Sequence, residues 1–287
     1  MGKIAVTGAS GMTGRHMIRL LDDENLPYVA LTRVDWDICH RKTFDELDSI
    51  FRSCDVIMHF AAQLPSDAAT TSSFFDANVR SCLLLAEWAK TRAIPLVFLS
   101  SSTVYKDPYK SKISEMDEKV VNGFGGFYGF SKLVAESIIE HYRPEGLSAI
   151  ILRPSSIYGY GMPADKLIPR YLSRAQTGGC IDILEPDNQI NLVHAYDVAR
   201  AALSAYLRKS WGVFNIGGDS HTVLDIAETA IRICGKGIVS VADKEHDYQP
   251  FHRFDLDMSL ARASFGFEPL IALDLGMNLI NRDKERA

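Results

Sequence analysis

Short apolar runs separated by helix-length stretches dominate the first half of the chain. Ile4-Ala5-Val6, Tyr28-Val29-Ala30-Leu31, Asp55-Val56-Ile57-Met58-His59-Phe60, Leu96-Val97-Phe98-Leu99 and Ala149-Ile150-Ile151-Leu152 each read as a strand covered on both faces. Between them, residues 14–21, 43–51 and 75–90 read as helices. This alternation implies a parallel sheet with helices on both sides, an α/β fold of the Rossmann-type, doubly wound kind.

Beyond Pro154 the pattern changes. Glycine and proline become frequent, and helical pieces near 166–176 and 223–234 alternate with short extended ones. A smaller C-terminal α/β substrate lobe is therefore expected. Residues 1–160 would form the nucleotide-binding domain and 161–287 the lobe, with the segment near 190–215 returning to the first domain. No internal repeat or low-complexity segment is present.

Composition excludes more than it identifies. The 287 residues, 47% apolar and 23% charged, are enough to bury a substantial core. The net charge of −5 is spread without a basic run, which argues against nucleic acid or an anionic membrane as partner. Cys39, Cys54, Cys82, Cys180 and Cys234 are far apart and odd in number, with neither metal-ligand nor disulfide-framework spacing. Reduced thiols in a cytoplasmic protein, with no metal, are the expectation. No apolar run approaches membrane-spanning length, and the chain enters its first strand at once, so no signal peptide is expected.

The candidate chemistry begins where the first strand ends. Thr7-Gly8-Ala9-Ser10-Gly11-Met12-Thr13-Gly14 follows that strand and opens a helix. Glycines there permit a sharp turn and let backbone approach a pyrophosphate, while free N–H groups and the helix dipole favour its charge. The spacing is G-x-x-G-x-x-G rather than G-x-G-x-x-G, and a purely structural turn would look similar. The second strand ends Leu31-Thr32-Arg33, where the 2′ side of an adenosine ribose would lie. Arg33 favours the 2′-phosphate of NADP; the alternative is NAD, with Asp35 meeting a free hydroxyl. Asp37 and Ile38 could flank the adenine, although an acidic turn residue would look the same.

Tyr128-Gly129-Phe130-Ser131-Lys132 puts a tyrosine and a lysine on one helix face. A free tyrosine, with a pKa of about 10, is a poor base at neutral pH. A nearby ammonium and a positive nicotinamide would favour the phenolate. Tyr128 would then exchange the proton of a substrate hydroxyl or carbonyl, and Lys132 would also hold ribose hydroxyls. The Y-x-x-x-K spacing alone is common by chance. Ser100-Ser101-Ser102-Thr103-Val104-Tyr105, just after the fourth apolar run, adds hydroxyls that can orient a substrate oxygen. Glycine turn, hydroxyl cluster, tyrosine and lysine in that order make the combination specific.

With these motifs the chain resembles the extended short-chain dehydrogenase/reductase family, in particular the NAD-dependent epimerase/dehydratase group acting on nucleotide sugars. The resemblance spans nearly the whole chain. It includes His59-Phe60-Ala61-Ala62, Asn78-Val79, Arg153-Pro154-Ser155-Ser156-Ile157-Tyr158-Gly159 and Asn191-Leu192-Val193-His194-Ala195-Tyr196-Asp197-Val198. Phe214-Asn215-Ile216-Gly217-Gly218 and Asp257-Met258-Ser259 follow in family order. The resemblance implies Ser101 as the catalytic hydroxyl, with Thr103 a second candidate, Tyr128 as acid/base and Lys132 as its partner. It implies that Gly8, Gly11 and Gly14, with Met12 and Thr13 between them, hold the pyrophosphate, and that Ala61, Asn78 and Pro154 line the cofactor groove. Gln63, Ser102 and Ser156 are candidate substrate contacts, whereas His59, His194 and Asp197 read as structural.

Departures from the family pattern narrow the chemistry. Its dehydratases carry Asp-Glu directly after the catalytic hydroxyl; here Ser102-Thr103 stands there, which argues against 4,6-dehydration. The epimerase-reductases of the GDP-fucose pathway carry a Cys and His pair; here Thr103 takes the cysteine's place, without a clear histidine partner. Ile190 stands where the family often has an arginine for the nucleotide diphosphate, and Ser156 where sugar epimerases commonly have asparagine. Lys244 or Arg253 could supply the missing cation, or either could be a solvated surface charge. The short substrate lobe and Arg33 favour an NADPH-dependent 4-ketoreductase, but the overall pattern, especially residues 153–159 and 191–198, resembles the epimerases more and puts a nucleotide-sugar 4-epimerase, working through a 4-keto intermediate, ahead. A non-catalytic NADP sensor is a third reading, but it has no use for Tyr128 and Lys132. The resemblance further implies a homodimer through the helix carrying Tyr128 and the helix near Asn78.

Overall fold

The computed structural model describes residues 2–242 and 251–284. Strand β1 (Lys3–Thr7) runs into the glycine turn, from which helix α1 (Met12–Asp23) departs. Next come β2 (Tyr28–Leu31), α2 (Phe44–Phe51) and β3 (Cys54–His59). Thr43 starts α2 with a capping box: its hydroxyl accepts from the Glu46 N–H, and the Glu46 carboxylate accepts from the Thr43 N–H. The chain continues through α3 (Thr71–Phe74), a π-helical turn (Phe75–Arg80), α4 (Ser81–Thr91) and β4 (Leu96–Leu99). A 3-10 turn (Ser102–Val104), α5 (Gly126–Tyr142) and β5 (Ala149–Pro154) follow.

The later elements are β6 (Ser156–Tyr158), α6 (Leu167–Gln176), β7 (Cys180–Ile183), β8 (Gln189–His194), α7 (Ala195–Leu207) and β9 (Gly212–Ile216). Then come β10 (Ser220–Thr222), α8 (Val223–Cys234), β11 (Ile238–Val241), β12 (His252–Arg253), α9 (Ser259–Phe265) and α10 (Leu273–Lys284).

Six strands in the order β2-β1-β3-β4-β5-β9 form one parallel sheet. Successive residues of a strand enter opposite cores. Val6, Met58 and Val97 join α1 and α7 on one face; Ala5, Ile57 and Phe98 join α2, α4 and α5 on the other. Burial on both faces is why these strands read as unbroken apolar runs, and the result is a doubly wound Rossmann-type sheet. Chain order reverses between β2-β1 and β3, and open α/β sheets bind ligands at the carboxyl ends beside such a switch.

After β5 the chain builds a second unit. There β8 pairs in parallel with β6 and β12 and antiparallel with β10, while β7 pairs with β11. Helices α6, α8 and α10 enclose its core of Tyr158, Ile168, Leu172, Ile226 and Met277. Helix α7 comes back to pack against α1, and β9 joins the main sheet beside β5.

One expected helix is divided. In place of a continuous helix over 75–90, a capping box at Thr70 and Ser73 starts α3 earlier, and the π turn separates it from α4. That turn carries Asn78 inward. Its Oδ1 accepts from the Gln63 N–H at 2.8 Å, and its Nδ2 donates to the Gln63 carbonyl at 3.1 Å and to Ser131 Oγ at 3.0 Å. A π register is invisible to apolar spacing. Among the described residues no two cysteines form a disulfide. Among the described residues no helix is long and apolar enough to cross a membrane.

Candidate active site

The carboxyl ends of β1 to β5 open into a cavity of about 740 Å³, within the range of small-molecule sites. One end is built from backbone. Gly8 turns at φ +68°, and a Cβ there would stand 2.7 Å from the Ala61 nitrogen. A Cβ on Gly14 would stand 2.1 Å from the Gly8 carbonyl oxygen, so only glycine fits either place. Helix α1 begins at Gly11 with no side-chain cap and no acidic residue in its first turn. Its leading N–H groups and dipole suit an anion.

Thr32, Arg33, Trp36, Asp37 and Ile38 continue the wall beyond β2. Asp35, the alternative contact for a ribose, is occupied elsewhere. Its carboxylate accepts from the Thr32 N–H at 2.8 Å and the Thr32 hydroxyl at 2.9 Å, bonds that hold it below the ordinary carboxylate range. Asp37 accepts from the Cys39 N–H at 3.0 Å.

The hydroxyl cluster and the α5 residues meet at the centre of the wall. Ser101 Oγ accepts from the Thr103 N–H at 3.2 Å and from the Thr103 hydroxyl at 2.9 Å. Its own proton is thus free for the side-chain hydrogen bond that it shares with Tyr128. Lys132 donates from Nζ to the Leu99 carbonyl at 2.8 Å and lies 4.8 Å from the Phe98 ring centre and 6.0 Å from that of Tyr128.

The charge states describe the site before any cofactor is bound. Burial pushes the Tyr128 phenol up to about 12, although the Ser101 bond acts the other way. Burial also pulls Lys132 down to about 8. In the protein alone Lys132 does not bring Tyr128 into working range, because the ammonium is aimed at the Leu99 carbonyl and desolvation of the phenolate dominates.

Gly8, Gly11, Met12, Thr13, Gly14, Ala61, Pro154, Ser102 and Ser156 also border the cavity. Two expected contacts do not. Asn78 lies one layer behind, its amide consumed by Gln63 and Ser131. The Gln63 side chain donates to the Leu64 carbonyl at 2.9 Å, and Leu64 and Pro65 take the wall position instead. Lys244 lies outside the described residues.

The other end of the cavity is built from side chains of the second unit. Ile157, Lys166, Arg253 and Phe254 border it, with Phe124 from the loop before α5. The Arg253 guanidinium stands 5.0 Å from the ring centres of both Phe124 and Phe251, and its buried Nε has no hydrogen-bond partner among the described residues. A cation clamped between rings with a donor to spare is suited to an anionic ligand. Sequence reasoning missed Lys166, Phe124 and Phe254. The alternation Phe251-His252-Arg253-Phe254 was the available signal for the last.

The histidines and Asp197 hold the frame. His59 shares a 2.9 Å hydrogen bond with Thr7, packs between Trp36 and Phe98, and is driven down to about 3 by burial. His194 caps α7 by accepting the Tyr196 N–H at 3.2 Å. Asp197 pairs with Arg200 and accepts the N–H groups of Leu270 and Ile271, fixing the approach to α10.

The glycine cradle, uncapped helix start and enclosed groove fit a nicotinamide dinucleotide. Comparison with known proteins agrees. Residues 4–217 match the NAD dependent epimerase/dehydratase family. A dTDP-glucose 4,6-dehydratase of Streptomyces niveus is 26% identical across 96% of this chain and 90% of its own length. A putative UDP-glucose 4-epimerase of Methanocaldococcus jannaschii is 27% identical across 96% of both chains. The UDP-glucuronic acid 4-epimerase of Bacillus cereus, solved in complex with NAD, has the same fold, with a TM-score of 0.81 at 21% identity over 99% of both chains. The match across most of the chain, on this sheet and this cavity, makes it a member of the NAD dependent epimerase/dehydratase family.

Proposed function

We propose that this chain is a nucleotide-sugar epimerase acting at C4 of the sugar through a 4-keto intermediate. The observation that carries the reading is the convergence of Ser101, Thr103, Tyr128 and Lys132 on a cavity bordered by the glycine turn and by Arg253. Gly8, Gly11 and Gly14, with Met12 and Thr13, would hold the pyrophosphate of NADP or NAD. Arg33, Asp37 and Ile38 would hold the adenosine, Ala61 and Pro154 the groove, and Lys132 the ribose. When bound, the nicotinamide supplies a two-electron hydride acceptor and donor.

With the positive charge of a bound nicotinamide favouring its phenolate, Tyr128 would take the proton from O4 as the alcohol becomes a ketone, and return it as the ketone is reduced. Ser101, fixed by Thr103, orients that oxygen and steadies its developing charge. Arg253 and Lys166 are the cations for the sugar's diphosphate, with Ser102 and Ser156 as sugar contacts. The absence of an Asp-Glu pair beside Ser101 supports epimerisation over elimination, since elimination needs its own acid and base. The relative named as a putative UDP-glucose 4-epimerase supports the same choice.

Arg33 favours a second reading. With Asp35 withdrawn into its turn, the residues offered to the 2′ side suit NADP, and a one-way NADPH-dependent 4-ketoreductase would use the same catalytic groups. The assay is conversion of UDP- or dTDP-hexoses with a trace of cofactor. Many turnovers to the C4 epimer at constant nicotinamide absorbance are expected. One NADPH consumed per product would replace the epimerase with the reductase, and cofactor binding without any turnover would leave the sensor.

A homodimer is the expected assembly. Exposed Phe75 and Leu83, with the half-buried Phe127 and Phe130 of α5, would supply an apolar face for a second copy. A sedimentation coefficient of a single chain would exclude it.

A further inference from the structure

Tyr128 and Lys132 belong to a longer stripe. One helical turn further along α5, Glu136 continues the same face and is only 3% exposed. Arg153 donates from Nε to its Oε1 at 3.0 Å and from Nη2 to its Oε2 at 2.7 Å, and the Ser100 hydroxyl donates to Oε1 at 2.5 Å. Arg153 is fixed in turn, donating to the Tyr105 hydroxyl at 3.0 Å and the Glu115 carbonyl at 3.1 Å. Tyr105 donates onward to Asn215 at 2.6 Å. The ends of β4, β5 and β9 are therefore tied to one carboxylate, and Ser100 is also part of the cavity wall.

A buried ion pair is a weak source of net stability, so its cost calls for another use. The surroundings of Lys132 indicate one. Facing it are Tyr128 and Glu136 from α5, His59 from β3, Cys82 from α4, and the Leu99 carbonyl and Phe98 ring from β4. Burial holds Tyr128 and Cys82 up at about 12 and His59 down at about 3, so all three are neutral near pH 7. Among the described residues, Glu136 is the anion left beside Lys132, with the Arg153 cation paired to it, and it acts to favour the ammonium. Its field also reaches Tyr105 and Lys119 on the far side.

We propose that Glu136 is a positioning residue for the Tyr128–Lys132 pair: held by Arg153 and Ser100, its carboxylate is the counter-charge that keeps Lys132 protonated beneath the cavity. Its value for turnover rests on the catalytic reading above, but the charge state of Lys132 can be measured without substrate. The cofactor-free protein, labelled with carbon-13 at the lysine side chains, is titrated by NMR. The Lys132 signal is assigned by its loss in Lys132→Met. The wild-type midpoint is expected at about 8.

Glu136→Gln should lower that midpoint by about one pH unit or more. It also leaves Arg153 unpaired, so the deciding variant is Glu136→Gln with Arg153→Met, which removes both charges and keeps similar volumes. A midpoint that stays lowered in the double variant supports the proposal, and the alkaline limb of the kcat/KM profile should move down with it. A midpoint at the wild-type value in the double variant overturns the proposal, whether or not the single variant folds. A shifted midpoint in a protein that turns over no nucleotide sugar would sink the functional reading and leave this inference standing.

Discussion

The two ends of the cavity are made of different materials. Beneath β1 the wall is backbone: Gly8, Gly11, Gly14 and the uncapped start of α1. At the other end it is side chain: Arg253 between Phe124 and Phe251, with Lys166 and Phe254, borne on short strands, helix starts and loops. Backbone contacts read a shape that every dinucleotide shares, whereas side-chain contacts can be exchanged without disturbing the main sheet. On the function proposed above, the first end would hold the cofactor and the second the substrate.

The most damaging way to break this division is at Gly14. Alanine there would place its Cβ 2.1 Å from the Gly8 carbonyl oxygen and 2.7 Å from the Ala9 Cα, and backbone has to move. We expect Gly14→Ala to cost about 1–3 kcal/mol of stability, the usual range for overpacking. Cofactor affinity should fall by about a hundredfold or more, since misplacement of about 1 Å has effects of that size. Calorimetric titration with NADPH and NADH measures this, and unchanged affinity would show that the cradle does not hold the pyrophosphate.

Arg253→Gln is the matching change at the other end. Losing hydrogen bonds to a charged group costs about 1.5–3 kcal/mol, so KM for the nucleotide sugar should rise roughly 10- to 150-fold. Cofactor affinity should remain as in the wild type. Equal losses for cofactor and sugar would erase the distinction between the two ends.

How much of this was legible follows the same line. The sheet, the glycine turn and the Tyr128–Lys132 spacing are local patterns, and burial on both faces makes the strands stand out. Asn78 and Gln63 were expected to act at the groove and do not reach it. Their amides satisfy each other's neighbourhood through a π turn that no apolar period reports. Lys166 and Phe124 were missed because they reach the cavity through tertiary packing of a helix start and a loop. The spacing of Tyr128 to Lys132 is written in the sequence, while the ammonium's choice of the Leu99 carbonyl is not.

The smallest effect tests what the shared centre costs. Lys132 has a folded pKa of about 8, below its ordinary 10.5, so burial of its charge opposes folding. Below about pH 8 both states hold the proton and the penalty is complete. As pH rises from about 8 to 10.5 the folded protein releases the proton first, and wild-type stability should increase across that window. Lys132→Met removes the charge while filling similar space, at the loss of the bond to the Leu99 carbonyl. We expect it to raise unfolding free energy at pH 7 by about 2 kcal/mol, roughly 3.4 from the size of the shift less about 1.5 for the lost bond, and to abolish turnover. Its advantage over the wild type should fade towards pH 10.5, as followed by urea unfolding at several pH values. A variant less stable than the wild type at pH 7 would mean that Lys132 is placed there for the fold, not at the expense of the fold for the reaction.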